Sequence, residues 1–340
     1  MNEKQFLEAL AKFAPALQRA FIEAMQRITD DAILAQLVEA VKAGDAEAAW
    51  RAIGYQSSVM NGYIATLSTT FEHGGVMMMA SMPKYTADAT GTKTALIFNI
   101  RDRRAEEWLA EHSSSLIQQV EDDIRVNVRS TLADGLAAGR NPNSTALDII
   151  GRYNAQTGHR EGGIVGLNQQ QEGWARSARA KLETLDKSYF DLVLRDKRFD
   201  ATVQAAIDSG TPLPADTVER LITRYRDRAL KYRGEAIGRS ETLAALNRSE
   251  YESVRQALEQ SDLPLAATTK EWDTAGDSDV RHSHAEMDGQ KVGIDEPFVS
   301  PVTGARMMHP GDTSLGAGAK EIAFCRCRAK YRTDFAYGVE

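Results

Sequence analysis

Apolar residues that recur at steps of three and four run through most of the first 260 positions and restrict them to helices. Near the start they fall at Phe6, Leu10, Phe13, Leu17, Phe21, Met25 and Ile28, one face of a 3.6-residue repeat. The spacing predicts a single long helix, bent if at all near Pro15. Residues 31 to 53 continue with Ile33, Leu34, Leu37, Val38, Val41 and Ala48, broken at Gly44-Asp45, a pair that ends one helix and caps the next. An αα-hairpin is expected there. A second run opens at Asp102, carries Trp108, Leu109, Leu116, Ile117, Val120, Ile124, Val128, Leu132 and Leu136, and stops at Gly139-Arg140-Asn141-Pro142. Ser144 or Thr145 is placed to cap a short helix through Ile149 and Ile150. Further helices are expected over 174–194, 199–207 and 215–230, with two prolines in the turn at 210–214.

Two stretches break the pattern. The glycines, Pro83 and threonines from Gly74 to Thr92 predict a loop, followed by a short buried strand from Thr94 to Ile100. Residues 157–166, with four glycines and little periodicity, predict an exposed loop.

Helical spacing ends at Leu263-Pro264, and Gly276, Gly289, Gly293, Gly304, Gly311, Gly316 and Gly318 follow within fifty residues. The expected fold is mainly α: an elongated helical body carrying a small, loop-rich α+β module at the C-terminus. Three regions are expected, an N-terminal helical region over 1–100, a helical body over 101–262 and the module over 263–340. At 340 residues the chain suits about two domains of ordinary size. Its 42% hydrophobic and 26% charged residues exclude a wholly disordered or collagen-like chain. No stretch approaches the roughly 18 apolar residues that a spanning helix needs, and the run from Val76 to Met82 reads as gap-filling methionine in a core. The opening Asn2-Glu3-Lys4 is unlike an apolar signal block, so synthesis in the cytosol is expected. A net charge of −7 gives the chain no global attraction to nucleic acid or anionic lipid, so phosphate contact would have to be local.

Chemically able side chains concentrate in the tail. The only two cysteines stand one residue apart as Cys325-Arg326-Cys327, which is no disulfide framework and suits a reducing compartment. With His282-Ser283-His284 and His309 they form a candidate zinc site, because alternate residues of an extended segment point to one side and can grip one ion. Structural zinc sites usually place two residues between paired cysteines, so packed, unligated thiols are the competing reading. Nucleophilic catalysis is a second candidate, with Cys325 or Cys327 attacking, His284 as base and Asp288 or Glu286 orienting it, although no local motif such as a nucleophile elbow accompanies the set. Asp273, Asp277, Asp279, Asp288, Asp295 and Asp312 match no EF-hand spacing and read as turn formers. Two basic islands complete the candidates. Arg220, Arg224, Arg228 and Lys231 share one helical face that could meet phosphates, although a solvated surface with several of these charges pairing internally is the preferred reading, and the tail adds Lys320, Arg326, Arg328, Lys330 and Arg332.

Five short motifs in order carry a family resemblance: Lys270-Glu271-Trp272-Asp273-Thr274; Asp279-Val280-Arg281-His282-Ser283-His284 with Met287-Asp288-Gly289; Pro297-Phe298; Pro310-Gly311-Asp312; and Glu321 with Cys325-Arg326-Cys327. Together they resemble the signature of tailed-phage head-morphogenesis, or minor capsid, proteins of the phage Mu F type. Upstream, Ala236-Ile237-Gly238-Arg239-Ser240-Glu241-Thr242 is similar to the family's Arg-Thr-Glu helix, and residues 132–150 resemble a more N-terminal helical part. The family usually has Asn before its Cys-Arg-Cys, where this chain has Phe324, and it tends to vary at the position of His282. Among possible ligands the resemblance therefore favours His284, Cys325 and Cys327, with His309 or water completing a zinc site.

The resemblance implies a virion protein in several copies, made in the host cytoplasm and located inside the head near the portal. It implies the portal or major capsid protein as partner, a part in assembly, contact with packaged DNA during packaging or ejection, and no established enzyme activity. Trp272, Arg281, His284, Asp288, Gly289, Cys325 and Cys327 would hold the module closed, with Arg239 and Glu241 pairing with or capping it. Arg220, Arg224, Arg228, Lys231, Arg328 and Lys330 would face DNA or a protein partner. Competing readings are a metal-dependent or cysteine hydrolase delivered into a host, and a DNA-binding ejection protein.

Overall fold

The computed structural model describes residues 1–87 and 92–337. Helix α1, Glu3–Asp31, continues through Pro15 and buries Phe6, Phe13, Leu17, Phe21, Met25 and Ile28, the face read from the sequence. Helices α2, Leu34–Ala43, and α3, Ala46–Ile53, form the expected hairpin. Gly44 takes the left-handed conformation at φ 69°, and the Asp45 carboxylate accepts from the amides of Glu47 and Ala48, which satisfies two free donors at the start of α3.

Helix α4, Asn61–Met79, runs straight through Gly74 and Gly75, where a loop was expected. The reason is tertiary. A methyl group at Gly74 would strike Ser249 Oγ and one at Gly75 the ring of Phe98, so these glycines serve close approach and not a turn. Past α4, β1, Tyr85–Ala87, pairs antiparallel with β2, Lys93–Ala95. The buried strand expected over 94–100 is thus confined to β2, whose residues are exposed. Residues 88–91 of the expected loop lie outside the described residues.

Helix α5, Arg103–Ala137, matches the second periodic run. Asn141 caps α6, Pro142–Ile150, with Pro142 at the first helical position. The cap thus precedes Ser144 and Thr145, because proline's missing N–H is no loss there. The expected loop at 157–166 is largely a hairpin, β3, Arg152–Asn154, against β4, His159–Glu161, followed by buried Ile164 and Val165. Helix α7, Gln169–Glu183, opens on a capping box between Asn168 and Gln171 and stops eleven residues short of 194, where a short helical turn over Lys187–Asp191 replaces it. Helix α8 spans Asp200–Ser209, and α9 spans Ala215–Gln260 without interruption, 46 residues in place of the expected sixteen.

The tail alternates short strands and turns: β5, Thr268–Asp273; α10, His282–Ala285; β6, Lys291–Gly293; β7, Phe298–Val299; β8, Arg306–Met307; α11, Ala319–Ile322; β9, Arg328–Thr333. Strand β5 is central in an antiparallel sheet of order β6-β5-β9, with Trp272 opposite Ala329, and β7 pairs with β8. Thr268, Lys270 and Trp272 are buried while the residues between them face outward or are only partly covered, a strand period of two. The fold is mainly α with a small α+β C-terminal part. Among the described residues no helix is long and apolar enough to cross a membrane.

Two compact units are present, neither continuous in sequence. One comprises residues 1–19, 63–113 and 235–340, the other residues 20–62 and 114–234. In the first, Trp272, Met287, Phe298, Met307, Cys325 and Cys327 share a core with Phe6 and Phe13 of α1 and Leu243 and Leu246 of α9. In the second, Ala175, Ala178, Leu182, Tyr189 and Val203 pack on Val218, Leu221, Ile222 and Tyr225 of α9.

Candidate metal centre

Backbone geometry brings two distant segments of the tail together. Residue 272 ends its strand by accepting from the amide of Gly289 and donating to the carbonyl of Gln290, which folds residues 274–288 back over it. Asp288 closes that loop by accepting from the Thr274 amide and hydroxyl, both at 2.9 Å, and Gly289 supplies the positive φ of 74° at the turn. The loop presents α10, which turns Ser283 and His284 inward and leaves His282 exposed. Arg281, in extended conformation at the N-cap of α10, donates from its guanidinium to the carbonyls of Glu321 and Ala323 at the end of α11. One planar fork thus fixes the two segments against each other.

Past α11, Phe324 adopts φ 56°, in the left-handed region, and this bend aims the next three residues back at α10. Cys325 and Cys327 then point inward while Arg326 points outward to Asp277, at 2.6 and 2.8 Å. Both sulfurs lie 3.4 Å from Nδ1 of His284, and the three ligand atoms lie within 4.8 Å of one another. All three residues are buried.

The surroundings polarise the cluster. The Glu321 carboxylate stands 3.1 Å from the other ring nitrogen, Nε2, and accepts from Ser283 Oγ at 2.9 Å. Burial opposes ionisation of Glu321, but hydrogen bonds from Thr303 and Ser283, with the charges of His284 and Arg281, hold its carboxyl below the ordinary range. The hydrogen bond from Cys327 pulls the Cys325 thiol well down, helped by His284, while Cys325 pushes the Cys327 thiol up. Trp272, fully buried, meets the His284 ring edge to face at 5.0 Å and Phe298 at 5.2 Å, walling the cluster from solvent on that side. On another side a narrow cleft of about 20 Å³, lined by Asp279, Val280, Arg281 and Phe324, reaches the sulfurs.

The structure sorts the remaining candidates. His309 is outside the cluster: it is buried, with Nδ1 3.2 Å from the Pro310 carbonyl, and burial pushes it down to about 4 despite the nearby Asp312 charge. His282 pairs at 3.9 Å with Glu286, and Asp288 serves Thr274, so neither acid orients His284. The carboxylate nearest the ring is that of Glu321, a residue of the fifth sequence motif. Arg239 lies over the Phe324 ring at 5.6 Å, but Glu241 does not reach the tail segments and instead lies 2.6 Å from His112 of α5.

The basic face is internally engaged. Arg220 and Arg224 lie over the Phe199 ring at 5.6 and 5.5 Å, and Arg224 and Arg228 converge on Asp196 at 3.4 and 3.1 Å, while Lys231 is exposed. Arg328 is buried, donating at 2.7 Å to the Met1 carbonyl, and Lys330 pairs with Asp273 at 2.6 Å.

Residues 197–330, from just before α8 into β9, match the family described as Phage Mu protein F like protein, which supports a head-morphogenesis protein similar to the phage Mu F type. No curated protein and no solved structure matches the chain.

Proposed function

We propose that this chain is a minor structural protein of a phage head, carried inside the particle near the portal, where it assists assembly through a protein partner of the capsid. The observation behind this reading is that the matched stretch is not an appended tail. Leu243 and Leu246 of α9, within the match, pack with Trp272 and Cys325 and also with Phe6 and Phe13 from the unmatched N-terminal residues. The stretch matched by the family model is thus joined through one apolar core to helices outside the match, which suits an adaptor between two parts of a shell.

The test is localisation in intact particles. Quantitative mass spectrometry of purified virions should find the chain at a fixed low copy number. Protease should spare it until the particles are opened. Recovery only in the soluble lysate would overturn the proposal and favour a host-acting enzyme, and digestion in unopened particles would overturn the internal position.

A further inference from the structure

We infer that His284, Cys325 and Cys327 hold one Zn²⁺ ion, with a solvent molecule as fourth ligand in the cleft beside Asp279 and Arg281. Three arguments carry this, two from the spacing of the donors and one from the groups around them.

The first is distance. With Zn–S near 2.3 Å and Zn–N near 2.0–2.1 Å, tetrahedral geometry places a nitrogen and a sulfur about 3.5 Å apart. Both sulfurs stand 3.4 Å from His284 Nδ1, so an ion reaches all three donors with small side-chain movements.

The second is valence. A neutral imidazole has one lone pair, and Nδ1 accepts from only one thiol, yet two are aimed at it from the same side at the same distance. A cation answers both sulfurs and the nitrogen lone pair at once. The two thiol protons pass to solvent as it binds, and two thiolates neutralise the ion's charge in a buried place.

The third is the outer layer. Glu321, held by Ser283, stands 3.1 Å from Nε2, near enough for a carboxylate to accept from that nitrogen once a metal takes Nδ1. The Cys327 amide points at Cys325 Sγ at 3.4 Å, and the indole N–H of buried Trp272 lies beside the Cys327 sulfur. These are donors suited to thiolate.

Thiolate and imidazole together select a borderline-soft ion over calcium or magnesium. The single residue between the cysteines, too short for the usual paired grip, is accommodated because the third ligand comes from 41 residues upstream. The inference stands without the assembly reading.

The test uses the full chain purified under reducing conditions. Elemental analysis should give about one zinc per chain, and X-ray absorption at the zinc edge should show two sulfur ligands near 2.3 Å with nitrogen or oxygen completing four. Cys325→Ser and Cys327→Ser should each lower zinc occupancy at least tenfold. Should these variants fail to fold, the wild-type absorption spectrum still decides through the sulfur count. A reduced, folded wild-type chain that neither carries nor takes up zinc overturns the inference, as does a zinc shell without two sulfurs.

Discussion

His112 Nε2 lies 2.6 Å from Glu241 Oε2, and the His112 ring stacks on Trp108 at 4.4 Å, so an imidazolium would be held between a carboxylate and an aromatic face. Burial alone would lower the His112 pKa, but Glu241 outweighs it and raises it above 6.5. The folded state therefore binds the proton more tightly than the unfolded chain. The resulting stability is fully present below about pH 6.5 and is lost as pH rises through the raised value. Glu241→Gln should cost about 1.5–3 kcal/mol at pH 6, the scale of a charge-assisted hydrogen bond, and much less at pH 9. Denaturant unfolding across that range checks it; a penalty independent of pH would sink the ion-pair reading.

Arg226 and Glu172 form a bidentate pair at 2.7 and 3.0 Å, almost wholly buried. Glu172→Ala should destabilise by about 3–5 kcal/mol because it strands a buried guanidinium. Replacing both partners with apolar residues, as in Glu172→Leu with Arg226→Met, should recover most of that loss. A double variant as weak as the single one would show that packing, not the stranded charge, sets the penalty.

Two helical glycines should respond to alanine with opposite signs. Gly238 in α9 faces the Ala14 carbonyl of α1, where a methyl group would collide with backbone that cannot yield. Gly238→Ala should cost about 1–3 kcal/mol by overpacking even after the helix-propensity gain. Gly173 in α7 has open space around it, so Gly173→Ala should stabilise by up to about 1 kcal/mol. Thermal melts of both variants test the close approach; equal shifts would refute it.

Phe324 carries a left-handed backbone that costs an L-residue about 1–2 kcal/mol. Phe324→Gly should therefore be more stable than Phe324→Ala by about 1 kcal/mol, although glycine normally loses that comparison. Equal stability of the two variants would mean that the bend relaxes.

The basic face of α9 was read as a site for phosphates or as a solvated helical surface. Its arginines are committed to Asp196 and Phe199, and Arg198, through its hydrogen bonds, with Arg228 holds the Asp196 carboxyl down to about 2. Arg228→Ala should lower the melting temperature while leaving binding to duplex DNA unchanged across a salt titration. A salt-dependent loss of DNA affinity would restore the phosphate role.

Local spacing by itself determined the helices of α1, α2, α3 and α5, since each reports a periodicity that neighbours along the chain satisfy. It also determined that Cys325 and Cys327 share a side, a consequence of the two-residue period of extended backbone. The order of the five motifs was enough to point to the Mu F-like family. What no local pattern could hold was partnership across the chain. Gly74 and Gly75 read as a loop because glycine is a poor helix former, and only Ser249 and Phe98, brought in by the tertiary fold, turn that weakness into a requirement for closeness. Glu321 became the carboxylate behind His284, and Glu241 the partner of His112, because helices and loops far apart in sequence pack on one core around Trp272, and burial leaves a charged group no choice but the opposite charge that packing supplies.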